Sequence, residues 1–166
     1  MIPEIRFATI HDLPSILKIV NHAILHTTSN YHYEIQTLEQ QQNWFFDKTE
    51  KAFPVIVAVY ENQIVGFGSF GVFREKIGYQ NTVEHSVYVK NEFIGKGIGK
   101  ILLQKLIDIA KSKNLHVMIG CIDADNQNSI AFHHKFGFKT TGLLPQVACK
   151  FDKWLDLVIV QLILKQ

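Results

Sequence analysis

The sequence predicts an α/β fold whose first half is largely antiparallel. Three observations predict it. Short runs rich in β-branched and aromatic residues alternate with segments of helical periodicity. Two of those runs, "PVIVAVY" and "IVGFGSFGVF", flank the polar turn "ENQ" as the arms of a hairpin do. A glycine-rich loop, "IGKGIGK", joins a strand to a long amphipathic helix. At 166 residues and 47% apolar composition, the chain reads as one domain over 1–166, large enough to bury a core without staples.

"EIRFATI" alternates as a strand does. His11, Asp12 and Pro14 then open a helix whose Leu13, Ile16, Leu17, Val20 and Ile24 keep helical spacing. "TLEQQQNWFFDKTEKA" places Thr37 three residues before Gln40, the spacing of a capping box, and predicts a second helix. After the hairpin, "TVEHSVYV" is a strand with Val83, His85, Val87 and Val89 on one face and Thr82, Glu84, Ser86 and Tyr88 on the other. Past the glycines, Ile98, Leu102, Leu106 and Ile109 form an apolar stripe; Lys100, Gln104, Asp108 and Lys111 form the solvent stripe. "LHVMIGCI" reads as a buried strand, "NSIAFHHKFGF" as a short helix closing at Gly137, and "LDLVIVQLIL" as the last long strand.

Composition removes several classes of function. A formal net charge of +2 with mixed signs gives no basic tract for nucleic acid. The longest apolar run, "WLDLVIVQLIL", is too short to span a bilayer and contains Asp156, and the N-terminus has no signal-peptide pattern, so a cytoplasmic protein without a membrane anchor is expected. Cys121 and Cys149 lie far apart without metal spacing, so no metal site is predicted and both are expected as reduced core thiols.

Gly95, Gly97 and Gly99 leave backbone N–H groups uncovered at a helix N-terminus, where the dipole favours an anion; a plain turn is the alternative reading. The rival nucleotide motifs fit badly. A P-loop needs Ser or Thr after Lys100, where Ile101 stands, and a dinucleotide fingerprint needs Gly where Leu102 stands.

"VYV" followed by "IGKGIGK" and an amphipathic helix, then "NQNSIAFHHKFGF" after the next strand, resembles the acetyl-CoA-binding core of the GNAT N-acetyltransferase superfamily. "GFGSFGVFR", "YQNTVEHSVYV" and "GLLPQVACKFDKWLDLVIVQ" extend the likeness over most of the chain, toward the phosphinothricin N-acetyltransferase subfamily. Two positions depart from the pattern: Ile94 stands where the superfamily loop has Gln or Arg, and Asp152 where relatives have Gly. The resemblance implies a central mixed, mostly antiparallel twisted sheet with helices on both faces and a splayed cofactor cleft. It also implies acetyl transfer from acetyl-CoA to a small amino-acid-like amine by direct attack. Amines of another kind (a polyamine, an antibiotic, a protein N-terminus) and a non-catalytic CoA-binding module are the alternatives.

Residue by residue, the resemblance implies that Gly95, Lys96, Gly97, Ile98, Gly99 and Lys100 hold the pyrophosphate, and that Val87, Tyr88 and Val89 pair with the pantetheine arm beside a bulge near Val87 and Tyr88. Asn126 contacts that arm or simply caps a helix. Glu84, mid-strand where glutamate is disfavoured, matches the subfamily's Thr-Val-Glu and is the expected general base. His133 takes the place of a tyrosine acid and is expected to protonate the CoA thiolate as an imidazolium, or else only packs. Arg74 is the candidate clamp for a tetrahedral anionic group of the acceptor, with Glu84, His85 and Ser86 beside it, and a solvated strand-end residue is the other reading. Tyr31, Tyr33 and Trp44 are candidate walls, and Lys150 and Trp154 candidates for a substrate or dimer contact. A homodimer is the assembly the resemblance allows.

Overall fold

The structure is a computed structural model and describes residues 2–164. One seven-stranded sheet runs in the order β1 (Glu4–Phe7), β2 (Val55–Tyr60), β3 (Gln63–Val72), β4 (Thr82–Val89), β5 (Val117–Asp123), β7 (Lys153–Ile163), β6 (Lys139–Lys150). All neighbours are antiparallel except β4 and β5. Helices α1 (Leu13–His26) and α2 (Leu38–Glu50) pack on one face, and α3 (Ile98–Ser112) and α4 (Gln127–His134) on the other, which is the predicted architecture. No helix among the described residues is long and apolar enough to cross a membrane.

Local chemistry explains most boundaries. β1 stops at Phe7 because Asp12 reaches back to the Thr9 amide (2.7 Å) and takes the Arg6 guanidinium in two bonds (2.7 and 2.9 Å), turning the chain into α1. The α2 capping box is formed: the Thr37 hydroxyl accepts from the Gln40 amide (3.2 Å), and the Gln40 side chain accepts from the Thr37 amide (2.8 Å). Glu61 and Asn62, with φ of 48° and 60°, make the left-handed two-residue turn between β2 and β3 that matches the twist of a hairpin.

Ile98, Leu102, Leu103, Leu106, Ile107 and Ala110 of α3 are each at most 3% exposed and form the centre of the larger core. Ile109, expected on the buried stripe, is only half-buried. The helix lies across the sheet and therefore buries a broad arc that takes in Leu103 and Ile107 as well as the i, i+4 row. Among the described residues, β6 is the strand that sequence pattern does not announce. Gly142 and Pro145 interrupt it, its side chains are mostly exposed, and its pairing with β7 slips at Thr140/Gly142 and at Leu144/Ala148. An edge position tolerates such a proline and such bulges. Phe151 and Asp152 close the β6–β7 hairpin at φ of 54° and 55°, a conformation that Asp accepts in place of the Gly found in relatives.

Candidate active site

β4 and β5 pair over three rungs only: Thr82↔Val117, Val83↔Met118 and Glu84↔Ile119. Beyond Glu84 the strands part. The peptide groups of His85–Val89 that face away from β3 therefore have no strand partner, and a cleft of about 1840 Å³ opens between this free edge and β5. The opening comes from divergence and not from the expected bulge. The β3–β4 register runs unbroken from Gly66↔Val89 to Val72↔Val83, so Val87 and Tyr88 stay in the ladder while β5 follows β7 away from them.

The glycine loop closes one end of the cleft. Gly95 and Gly97 have φ of 79° and 83°, and a Cβ built on either would meet no heavy atom within 4 Å. Only glycine adopts this backbone without strain, and the space it leaves bare is open to the cleft. Gly97 is the N-cap of α3, so the first amides of that helix (Ile98, Gly99, Lys100) point outward with the positive end of the dipole. This is a cradle that fits a pyrophosphate. Lys100 lines the cleft; Lys96 does not, because its Nζ turns over the Phe93 ring at 4.8 Å. Ile94, which departs from the pattern of the resembled family, lines the cleft at 64% exposure. Across from the loop, Asn126 caps α4 by accepting the Ser129 amide at 3.1 Å. Its side-chain N–H groups remain available to a ligand, so the two readings of this residue are compatible.

The alternation predicted for β4 holds. Glu84, Ser86 and Tyr88 face α1 and α2, and His85, Val87 and Val89 face α3 and α4. Glu84 occupies the last rung before the sheet opens. Burial pushes its carboxyl above the ordinary range, while a hydrogen bond from the Cys121 thiol and the nearby Lys48 ammonium pull it back. Partial burial of the thiol in the cleft wall, then the charge and hydrogen bond of Glu84, push Cys121 up to about 12. Neither cysteine is a core thiol as expected. Cys121 is exposed in the cleft, because β5 turns that face toward the opening, and Cys149 is half-buried.

His133 lines the cleft but is not the imidazolium that was expected. Burial lowers its pKa, and its Nδ1–H donates to the Ser129 carbonyl at 2.7 Å, so the neutral ring carries its lone pair on Nε2. His85 stacks on it with ring centroids 5.1 Å apart, and burial holds His85 down at about 3. Neither ring nitrogen of His85, nor Nε2 of His133, has a hydrogen-bond partner among the described residues. The unpartnered nitrogens of this stacked pair are buried, and burial works against either ring serving as an imidazolium acid.

Of the remaining expected residues, Ser86 lines the cleft and Arg74 does not. Arg74 lies two residues past β3, exposed, with its guanidinium over the ring of its neighbour Phe73 at 5.3 Å. The strand ends before the chain can carry that side chain back over the sheet. Tyr31 walls the cleft, whereas Trp44 packs edge-on against Phe67 in the core, and the exposed Tyr33 hydroxyl donates to the Cys149 carbonyl. Lys150 is buried, with Nζ donating to the Thr27 carbonyl at 2.7 Å and to the Asn30 carbonyl, so it ties down the loop over the cleft instead of meeting substrate. Sequence reasoning missed Asp123, a buried carboxylate in the cleft wall that accepts from the Thr28 hydroxyl and the Asp125 amide, and it missed Lys48. A polar residue ending an apolar strand was the available signal for Asp123; Lys48 gave none. Among the described residues, no group of three or more His, Cys, Asp or Glu could hold a metal ion.

A sheet split beside a carboxylate-bearing strand, with a glycine cradle at the mouth, agrees with what comparison with known proteins finds. Residues 18–138 match the family described as "Acetyltransferase (GNAT) family". The chain is 41% identical over 163 residues to the L-methionine sulfoximine/L-methionine sulfone acetyltransferase of Pseudomonas aeruginosa, covering 98% of this chain and 95% of that one. It is 30% identical to the phosphinothricin N-acetyltransferase of Streptomyces viridochromogenes, over 92% of this chain and 83% of that one. A solved acetyltransferase from Salmonella typhimurium, described with its cofactor acetyl-CoA, superposes with a TM-score of 0.95 at 40% identity over 98% of this chain and 94% of that one. On sequence, fold and cleft together, the chain belongs to the GNAT family of acetyltransferases.

Proposed function

We propose that this protein transfers the acetyl group of acetyl-CoA to the α-amine of a small amino acid carrying a sulfoximine, sulfone or phosphinyl group, by direct attack with Glu84 as general base. The observation that carries the reading is the place of Glu84: a half-buried carboxylate on the last rung before the sheet opens, on the strand whose free edge leads to the glycine cradle. The acceptors of the relatives from Pseudomonas and Streptomyces are compact amino acids, which favours this substrate class over a polymer or a long polyamine.

Each group has a task that follows from its chemistry. The amides of Ile98, Gly99 and Lys100 and the ammonium of Lys100 take the pyrophosphate. The free edge of His85–Val89 pairs with the amide-bearing arm as an added strand would, and its unpaired N–H groups are the donors available to the carbonyl oxygen as negative charge develops there. An aliphatic amine attacks only when neutral, so Glu84, with its raised pKa, takes a proton from the amine directly or through one water. The carbon–sulfur bond then breaks, and the electron pair leaves on sulfur. An ordinary thiol has a pKa of ~8.5, so it departs as an anion without an imidazolium beside it. Cys121 is no rival nucleophile, since its thiol is held protonated.

The experiment is acetyl-CoA turnover, read as thiol release, against methionine sulfone, methionine sulfoximine, phosphinothricin, spermidine and a peptide N-terminus. Turnover of the first three is expected. Turnover confined to spermidine or the peptide would overturn the substrate class and leave the fold standing. We assign the protein to the cytoplasm, where acetyl-CoA is made and used. We also assign it a homodimeric state, supported by the exposed apolar side chains of Leu143, Val147, Phe151 and Trp154 along the β6–β7 hairpin. Sedimentation equilibrium tests the dimer.

A further inference from the structure

Glu84 has a neighbour that no part of the reaction described above uses. Lys48 of α2 is half-buried. Its Nζ donates to the Phe70 carbonyl at 3.1 Å and lies 5.9 Å from the Trp44 ring and 5.7 Å from the Phe53 ring, and no carboxylate stands within 4 Å among the described residues. An ammonium taken out of water with one carbonyl and two ring faces is poorly compensated, and burial lowers its pKa. Its position is set by a missing side chain. A Cβ built on Gly71 would fall 2.3 Å from Nζ, so the ammonium fills the space that any other residue at 71 would occupy.

Gly71 is the direct antiparallel partner of Glu84. Side chains directly opposed in such a pair stand about 4.5–5.5 Å apart at Cβ. Lys48 therefore supplies the cross-strand neighbour that Gly71 does not. We propose that Lys48 is a positioning residue for Glu84: its ammonium, seated in the gap at Gly71, holds the Glu84 carboxyl ionised and aimed from behind, on the side away from the cleft. Lys48 is absent from the cleft lining, so the acceptor does not reach it, and its influence passes through Glu84 alone.

Among the described residues, Lys48 is the one cation that bears on Glu84. From β5 this carboxyl meets the Cys121 thiol, with the Asp123 carboxylate further along the same face and Tyr31 against those two; from β4 it meets Tyr88, and β3 brings the bare Gly71. Asp47 and Lys51 flank Lys48 on α2 but pair with each other at 2.8 Å. Without Lys48, burial would act to keep Glu84 protonated, and the Cys121 hydrogen bond would be left to oppose it. A protonated carboxyl cannot accept the amine's proton.

The proposal rests on Glu84 as general base, and its test separates the two ideas. The Glu84 carboxyl is followed by ¹³C NMR as pH is raised, in the full-length wild type, in Lys48→Met, in Lys48→Arg, and in Gly71→Ala, whose new Cβ displaces the flexible end of Lys48 without changing any charge. The midpoint should rise in Lys48→Met by about one unit, the low end of what a neighbouring opposite charge does to a carboxylate, and rise in Gly71→Ala as well. It should stay near the wild-type value in Lys48→Arg. Midpoints that do not move in Gly71→Ala and Lys48→Met overturn the proposal, and Gly71→Ala alone decides it if Lys48→Met fails to fold. The acid limb of kcat/KM should follow the midpoint in every variant. A limb that ignores a shifted midpoint leaves Lys48 acting on Glu84 but removes Glu84 as the base, which overturns the catalytic role of the pair.

Discussion

Replacing Gly97 with alanine should separate what the loop does for the fold from what it does for the ligand. The backbone there has φ of 83°, a region where a Cβ crowds the following carbonyl at a cost of about 1–2 kcal/mol. In a protein of this size each kcal/mol lowers the melting temperature by about 2–4 °C, so a fall of about 2–8 °C is expected. The protein itself offers no clash to add to this, because nothing stands within 4 Å of the new Cβ. Calorimetric titration with acetyl-CoA reads the second quantity. If the pyrophosphate lies against the loop, the methyl occupies its space and affinity should fall by at least tenfold, about 1.4 kcal/mol. Gly97→Val, with a branched side chain at the same φ, should abolish binding. Unchanged acetyl-CoA affinity in Gly97→Ala, with the melting temperature lowered as calculated, would refute the cradle: the space beside Gly97 would then be empty in the complex too.

Glu84→Gln keeps the shape of the side chain but cannot take a proton, so kcat/KM near neutral pH should fall by about 10²–10⁴-fold with acetyl-CoA affinity preserved, and part of the loss should return as pH rises and the amine is already neutral. In the wild type, the acid limb of kcat/KM should lie above the ordinary carboxylate range, since burial raises Glu84; a limb within that range would count against the assignment. His133→Gln should leave the position of that limb unmoved, because Glu84 is the base that sets it; a displaced limb in this variant would make His133 a titrating group of the reaction. Arg6 holds Asp12 down at about 2 in the folded protein, below its unfolded value, so the pair stabilises the fold above that unfolded value and the benefit fades as pH falls toward 2. Asp12→Ala should therefore be less stable than wild type at neutral pH, by denaturant unfolding, and the two should converge near pH 2.

Legibility in the sequence followed how local each signal was. The α2 capping box, the β2–β3 turn and the β4 alternation depend on residues a few positions apart, and all three appear where the pattern placed them. The glycine loop and Glu84 were legible because a left-handed backbone and a mid-strand carboxylate break local preference, and such breaks are where function is expected. What stayed hidden depends on contacts between distant segments. β6 gives no alternation because its partner on one side is solvent and its bulges reset the register. The lowered pKa of His133 comes from burial, in a stack with His85 that lies far away in sequence on β4. Lys48 was invisible for the same reason: nothing on α2 tells that its end lies over Gly71, opposite Glu84. Arg74 shows the converse, a residue type well suited to an anion that the chain carries past the end of its strand.

The three-rung junction of β4 with β5 also shapes the mechanics of the sheet. Strands β1–β4 and strands β5–β7 are each joined internally by longer ladders, and between them the backbone is stitched at one end only. The rest of the coupling falls to side chains, chiefly those of α3 and α4 lying across the seam. A ligand arm bonded along His85–Val89 adds rungs that the polypeptide does not supply and so becomes part of the sheet while it is bound. Amides along that edge should exchange slowly with solvent only when acetyl-CoA is present, and the melting temperature should climb with its concentration, as for any species that binds only the folded state. The two halves of this protein are thus least firmly joined in the moments between one cofactor leaving and the next arriving.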